Sequence, residues 1–213
     1  RFPNLMEHVV DYRPPVEVVA SMARREAERR HPDKKVGIFF IAPCTAKISF
    51  IKESDEVVDS DIDKMIAISD IYKQVLQNLE ELKDEEIEDL EKAGMTGLRW
   101  PSPGGESLSL QTDDFVAVDG IDKVIDIFEK IEDEKLDGLA FVETEACRGG
   151  CFGGSLTVEN SYSAKANIKP LIDEAKEKYG ERTLNLPGEE DELLRNRPLC
   201  YRPATPLSAH PST

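Results

Sequence analysis

The chain has 213 residues, 39% of them hydrophobic, and a formal net charge of -16 from 43 acidic against 27 basic residues. That length suffices for one substantial core and a small appendage, and that charge repels phosphate backbones and acidic membrane surfaces, which argues against nucleic acid as a partner and leaves an acidic solvated face. No apolar run nears the roughly 20 residues needed to span a bilayer, so no membrane span is expected.

Arg1 stands where a methionine would open a chain, and RFPNL reads as the end of an element whose start lies upstream. VEVVASMARREAERRH, residues 16–31, sets Val19, Met22, Ala23 and Ala27 on one face at helical spacing and its charges elsewhere; Pro32 and Asp33 stop this amphipathic helix. KKVGIFFIAPC then gives a continuous apolar run, typical of a strand buried on both faces, and Cys44 falls at its end. DKMIAIS, 63–69, is a second short strand, followed by a helix through Leu79, and a further helix over 84–93 closes at Gly94. The acids of EELKDEEIEDLEK invite a metal-binding reading, but Leu79, Leu82, Ile87 and Leu90 form an apolar stripe that leaves them to solvent.

GLRWPSPGGESLSL, 97–110, reads as a loop by its glycines and prolines. DDFVAVDG is a strand, GIDKVIDIFEKIEDEK a helix, and DGLAFVETEAC a strand that runs into ACRGGCFGG. SYSAKANIKPLIDEAKEKYG makes the last helix, with Ala164, Ile168, Leu171 and Ala175 inward, Pro170 as a kink and Gly180 as the stop. LCYRPATPLSAHPST has no periodicity and reads as an unpacked tail. Strands that alternate with helices imply an α/β fold, a mostly parallel sheet flanked by helices, in which ligands collect at the carboxyl ends of strands. Cys44 and the pair Cys147 and Cys151 all follow such ends, so the three thiols are expected to converge.

Taken singly, these cysteines read as buried thiols, a disulfide or a small core residue. Together with Gly149, Gly150, Gly153 and Gly154 they read differently, because glycine weakens regular structure and adds no buried surface. It serves where backbone approaches a bulky inorganic group and turns its N–H groups toward anionic sulfurs. Iron–sulfur ligation suits this spacing better than zinc, whose cysteine pairs favour a C-x2-C knuckle; His8, His31 and His210 show no ligand spacing. A phosphate loop is ruled out by Ser155 and Leu156, which stand where Lys and Ser or Thr are required.

APCTAK (42–47) and EACRGGCFGG (145–154), in this order and roughly 100 residues apart, resemble the second and third signature loops of the iron-only, FeFe-type hydrogenase large subunit, C-terminal catalytic domain. SLTVEN and FVAVDGIDKVIDIFEKIE resemble most the branch thought to include sensory or regulatory members. The resemblance covers about residues 1–180, with a partial catalytic domain expected over 1–182 and an irregular tail over 183–213. It implies that Cys44, Cys147 and Cys151 are metal ligands of the 4Fe–4S cluster of the H-cluster, with Cys151 bridging to its di-iron subcluster, and that Pro43, Thr45 and the four glycines line the cofactor. It makes Lys47 the hydrogen-bonding partner of a cyanide on the distal iron, where a solvated surface lysine is the plainer reading. The implied partners are H2 and protons, with a ferredoxin-like electron carrier or a signalling domain, in a cytoplasmic protein.

The first signature loop, with the fourth cysteine, would precede Arg1. Ala42 and Glu145 stand where catalytic members carry methionines, and Phe50 where a glutamate of the proton path is usual. A carboxylate in a low-dielectric crevice is expected to have a raised pKa, so Glu145 joins Lys47 as a candidate catalytic residue; the alternative is that it turns outward to solvent.

Overall fold

The computed structural model describes residues 2–10, 14–53, 60–81, 94–110, 113–136 and 138–180. The expected helix over 84–93, its stripe residues Leu82, Ile87 and Leu90, the tail over 183–213 and Cys200 lie outside the described residues. Two β-α-β units organise the rest. The first is β1 (Phe39–Ala42), α2 (Thr45–Glu53) and β2 (Lys64–Ala67), preceded by α1 (Pro15–Arg30) and followed by α3 (Ile68–Glu81). The second is β3 (Phe115–Asp119), α6 (Ile121–Glu132) and β4 (Phe141–Glu145). Between them come the one-turn helices α4 (Met95–Arg99) and α5 (Gly105–Ser109), and α7 (Ser161–Tyr179) closes the described chain.

Each unit pairs its strands in parallel, which requires a crossover helix between them. Phe39 to Ala42 face Lys64 to Ala67 in one ladder, and Phe115 to Asp119 face Phe141 to Glu145 in the other. The fold is α/β with parallel pairing, as the strand–helix alternation implies, and the strands form two separate two-stranded sheets. A single segment joins their carboxyl ends: the Leu156 N–H donates to the Pro43 carbonyl at 2.9 Å just past β1, and the Leu156 carbonyl accepts from Ser69 N–H at 3.1 Å at the start of α3. The loop after β4 is thus stitched to both strands of the other sheet.

The apolar run at residues 36–43 does not form a strand buried on both faces. Phe39 and Ile41 are exposed while Ala42 is buried and Phe40 packs inward, so among the described residues one face of this narrow sheet is covered. That covered face holds the core of the unit, where Ala20 of α1 meets Ile62, ringed by Val16, Ile38, Phe40 and Met65.

Helix α1 presents a different face from the one its apolar spacing predicts. Val19 is 62% exposed and Ala23 is exposed, whereas Glu17, Val18, Ala20 and Ser21 are buried. Polar bonds to residues 60–63 set that orientation. Ser60 Oγ donates to both oxygens of Glu17 at 2.9 Å, Ser21 Oγ donates to Asp61, and Arg24 reaches the Asp61 carbonyl at 3.0 Å and the Asp63 carboxylate at 2.6 Å. A buried carboxylate costs several kcal/mol if left unpaired, about the worth of one or two buried aliphatic side chains, so this network outweighs the helix's modest apolar stripe.

Three other expectations shift. Leu79 and Leu171, expected inward, are 56% and 51% exposed, although Ala175 on α7 is buried. Helix α2 forms where no element was anticipated. The stretch 97–110 is not a plain loop: α4 and α5 occupy most of it. Its glycines permit compact structure rather than preventing it, since Gly104 enters α5 at φ +83° and a Cβ on Gly105 would collide with the Arg99 carbonyl.

Candidate functional site

The loop after β4 begins at Ala146, passes through a 3-10 turn at Gly150–Gly153, and is held by acceptors from three other elements. Asp119 Oδ2, at the end of β3, accepts the Gly149 N–H at 2.5 Å. The Pro101 carbonyl, in the turn between α4 and α5, accepts the Cys151 N–H at 2.9 Å, and the Pro43 carbonyl accepts the Leu156 N–H. Pro43 directly precedes Cys44, so the two cysteine loops are tied through one carbonyl. Thr45 adds a contact of 3.2 Å between its hydroxyl and that of Ser155.

The glycines are needed for packing within the protein. Gly150 has φ +70°, and a Cβ there would lie 2.6 Å from the Pro101 carbonyl oxygen and 2.7 Å from Glu145 Oε2. A Cβ on Gly154 would run into the Pro43 carbonyl, one on Gly153 into the Arg148 carbonyl, and one on Gly149 into the Ser161 side chain that opens α7. The N–H groups of Gly149, Gly150, Cys151 and Gly154 donate to Asp119, Cys147, Pro101 and Cys151 respectively. Of the four glycines whose N–H groups were expected to face inorganic sulfur, Gly149, Gly150 and Gly154 donate to protein acceptors instead.

The three thiols are free and half-buried. Burial raises the Cys147 pKa, with the charges of Cys44 and Glu145 adding to it. Burial also raises that of Cys151; Lys47 opposes this, while Glu145, Cys44 and Cys147 reinforce it. Taken together the two shifts put Cys44, Cys147 and Cys151 within electrostatic reach of one another, with Lys47 acting on Cys151. Among the described residues, no group of three or more His, Cys, Asp or Glu side chains closes around a single metal ion. Among the described residues, three thiols without a histidine beside them nonetheless form the donor set that iron–sulfur chemistry uses.

Carboxylates crowd the same end. Glu145 turns inward over Gly150, and its Oε2 is buried with no hydrogen-bond partner among the described residues. Burial, then Glu143, Asp119 and Glu106, push its pKa up to about 7 against the pull of Lys165 from α7. Glu106 is raised as well, by burial and then by Glu143, with Lys47 opposing. Glu143 is 5% exposed and is fully bonded, accepting from Gly104 N–H at 3.0 Å and from Ser107 N–H and Oγ at 2.8 and 2.6 Å.

Asp119 and Glu143 were not among the residues the sequence singled out. One signal for Glu143 was available: in FVETE, period-two alternation puts Glu143 and Glu145 on the same face as Phe141. No comparable signal marks Asp119 beyond its place at a strand end before Gly120.

An α/β domain with cysteines in the loops past the carboxyl ends of its parallel strands is the class these features define. The chain belongs to the family described as iron only hydrogenase large subunit, C-terminal domain, whose model matches residues 1–112 and 78–155. A search of curated proteins gives no match. Two solved FeFe-hydrogenase structures share the fold, one described as showing that oxygen inactivation begins with modification and degradation of the H cluster 2Fe subcluster, the other as revealing stepwise H-cluster assembly in HydA(deltaEFG). Each aligns with a TM-score of 0.57 at 17% identity, over 92% of this chain and 71% of that chain. Among the described residues no helix is long and apolar enough to cross a membrane.

Proposed function

We propose that this domain holds a 4Fe–4S cluster through Cys44, Cys147 and Cys151, as part of a cytoplasmic protein that turns over or senses H2. The observation that carries the reading is the joining of the two cysteine loops at the carboxyl ends of both sheets, through the Pro43 carbonyl and the Leu156 N–H. When bound, the cluster with its di-iron subcluster supplies the cleavage of H2 into two protons and two electrons.

The chain's own contributions are ligation, charge and proton holding. Three thiolates come from Cys44, Cys147 and Cys151, leaving one iron to a ligand from elsewhere, such as water, a small thiol or Cys200. Lys47 brings a compact ammonium that eases negative charge at Cys151. Pro43, Thr45 and the glycine turn fix the loop backbones that carry the cysteines. Glu145 keeps a proton on its inward carboxyl up to about neutral pH. That last feature favours a second reading on the same fold, a non-catalytic iron–sulfur sensor or assembly protein whose redox state is coupled to proton uptake. Electrons would pass to a ferredoxin-like carrier, or the signal to an attached signalling domain.

Anaerobic reconstitution with ferrous iron and sulfide tests the ligand set. The wild-type chain is expected to take up iron and sulfide in equal but substoichiometric amounts, to lose them in air, and to show no hydrogen turnover. Cys44→Ser, Cys147→Ser and Cys151→Ser should each reduce uptake severalfold. Uptake indifferent to all three substitutions would refute the ligand assignment, and robust hydrogen evolution would refute the reading of three insufficient ligands.

A further inference from the structure

We propose that Glu143 is a positioning residue that sets where the Cys151 thiol stands, acting through the turn over residues 99–105. The proposal rests on the protein's own hydrogen bonds and goes beyond the cluster reading, so failure of that reading would leave it intact. Glu143 lies on β4, four residues before Cys147, and its side-chain hydrogen bonds among the described residues go to Gly104 and Ser107, outside the thiol loops. Its side chain points instead into the start of α5, where one oxygen accepts from Gly104 and the other from both donors of Ser107. Ser107 is wholly buried, so water cannot replace these bonds.

The segment so anchored is short and stiff. Ser102 N–H donates to Arg99, Gly105 N–H to Ser102, and Leu108 N–H to Gly104, at 3.0, 2.8 and 3.0 Å. Gly105 lies so close to the Arg99 carbonyl that no side chain fits between them. Pro101, inside this turn, has its φ fixed by its ring and aims its carbonyl at the Cys151 N–H, 2.9 Å away. On the far side of the same loop, the Pro43 carbonyl holds Leu156. Cys151 is thus suspended between two carbonyls, one carried on the Cys44 loop and the other on the turn that Glu143 locks. A shift of the turn displaces Cys151 relative to Cys44 while leaving Cys44 itself in place.

Glutamine at position 143 keeps the shape and breaks the clamp. Whichever way the amide turns, its NH2 faces either the Gly104 donor or the Ser107 donors, and one side loses its acceptor. The test uses the full chain, reduced and metal-free, with amide hydrogen exchange by NMR and timed iodoacetamide labelling mapped by mass spectrometry. In Glu143→Gln, exchange at Gly104 or Ser107 and at Cys151 should accelerate together by about tenfold, the effect of losing one buried hydrogen bond. Labelling of Cys151 should rise severalfold, while the Leu156 amide and Cys44 labelling stay at wild-type rates.

Ser107→Ala removes one donor, leaves the Glu143 charge in place, and should move the same probes in the same direction by about threefold. It therefore separates displacement of Cys151 from any change in its charge environment, and it decides the matter alone if Glu143→Gln fails to fold. Two results would overturn the proposal. One is faster exchange at Gly104 and Ser107 with Cys151 unchanged, meaning the clamp opens without reaching the thiol. The other is equal acceleration at Cys151, at Leu156 and along the β3–β4 ladder, meaning Glu143 supports the fold as a whole.

Discussion

Replacing Glu145 by glutamine removes a carboxylate whose charge the folded protein disfavours. In the cluster-free chain its pKa stands at about 7 rather than 4.5, because of burial first and then Glu143, Asp119 and Glu106. The folded state therefore binds this proton more tightly than the unfolded chain does. By linkage, stability falls as pH rises from 4.5 through about 7. Below that interval both states are protonated and the carboxyl costs nothing; above it the folded protein carries the full penalty. The side chain is only half-buried, and solvent screening reduces the penalty to roughly 1 to 2 kcal/mol. Glu145→Gln, neutral at every pH, is expected to gain that amount over wild type at about pH 8 and to lose the advantage toward pH 4.5. Urea unfolding of both proteins across this range, in reducing metal-free buffer, gives the difference directly from midpoints at constant m. A difference that stays flat with pH, or that favours wild type at high pH, would refute the placement of Glu145 over Gly150.

Gly154→Ala should lower stability by roughly 1 to 3 kcal/mol by forcing a methyl group against the Pro43 carbonyl, and should speed exchange of the Leu156 amide; an unchanged Tm would show that the loops are not in close contact. Glu17→Ala, at a side chain 1% exposed on the docking face of α1, should cost roughly 2 to 3 kcal/mol by removing the acceptor of Ser60. Val19→Ser on the opposite face should stay within about 0.5 kcal/mol in the same thermal unfolding assay, and the reverse ranking would mean that α1 docks by its apolar stripe.

Elements with strong periodicity were legible in the sequence. The four strands among the described residues fall within the stretches read as strands, and α6 and α7 fall within the stretches read as helices. Cys44 and Cys147 follow strand ends because the alternation of apolar and turn residues places them there. The orientation of α1 was hidden because its buried side includes Glu17 and Ser21, whose burial depends on Ser60 and Asp61 some 40 residues away. A pattern of hydrophobicity cannot register a partner that distant in sequence. The glycines near Cys151 read as making room for an inorganic group, whereas the atoms a Cβ would meet are the carbonyls of Pro43, Pro101 and Arg148 and the side chain of Ser161. Which atom fills the space above a glycine is a tertiary fact. The same holds for Glu143 and Ser107, whose pairing joins a strand to a stretch that reads as loop.

Burial and the neighbouring carboxylates hold a proton on Glu145, whose inward oxygen has no hydrogen-bond partner among the described residues. Asp119, Glu143 and Glu145 share one end of the β3–β4 sheet, with Asp119 directly opposite Glu145 in the ladder and Glu106 within reach. Against four acids stand Lys47 and Lys165, too few to balance them. Asp119 accepts the Gly149 N–H, and Glu143 accepts from three donors. Glu145 Oε2 has none and is buried. Protonating Glu145 relieves the repulsion among its neighbours at the least loss of hydrogen bonding, so the proton is held two residues from Cys147. Asp119, which accepts a loop N–H, and Glu145, which keeps a proton up to about neutral pH, are therefore separate residues.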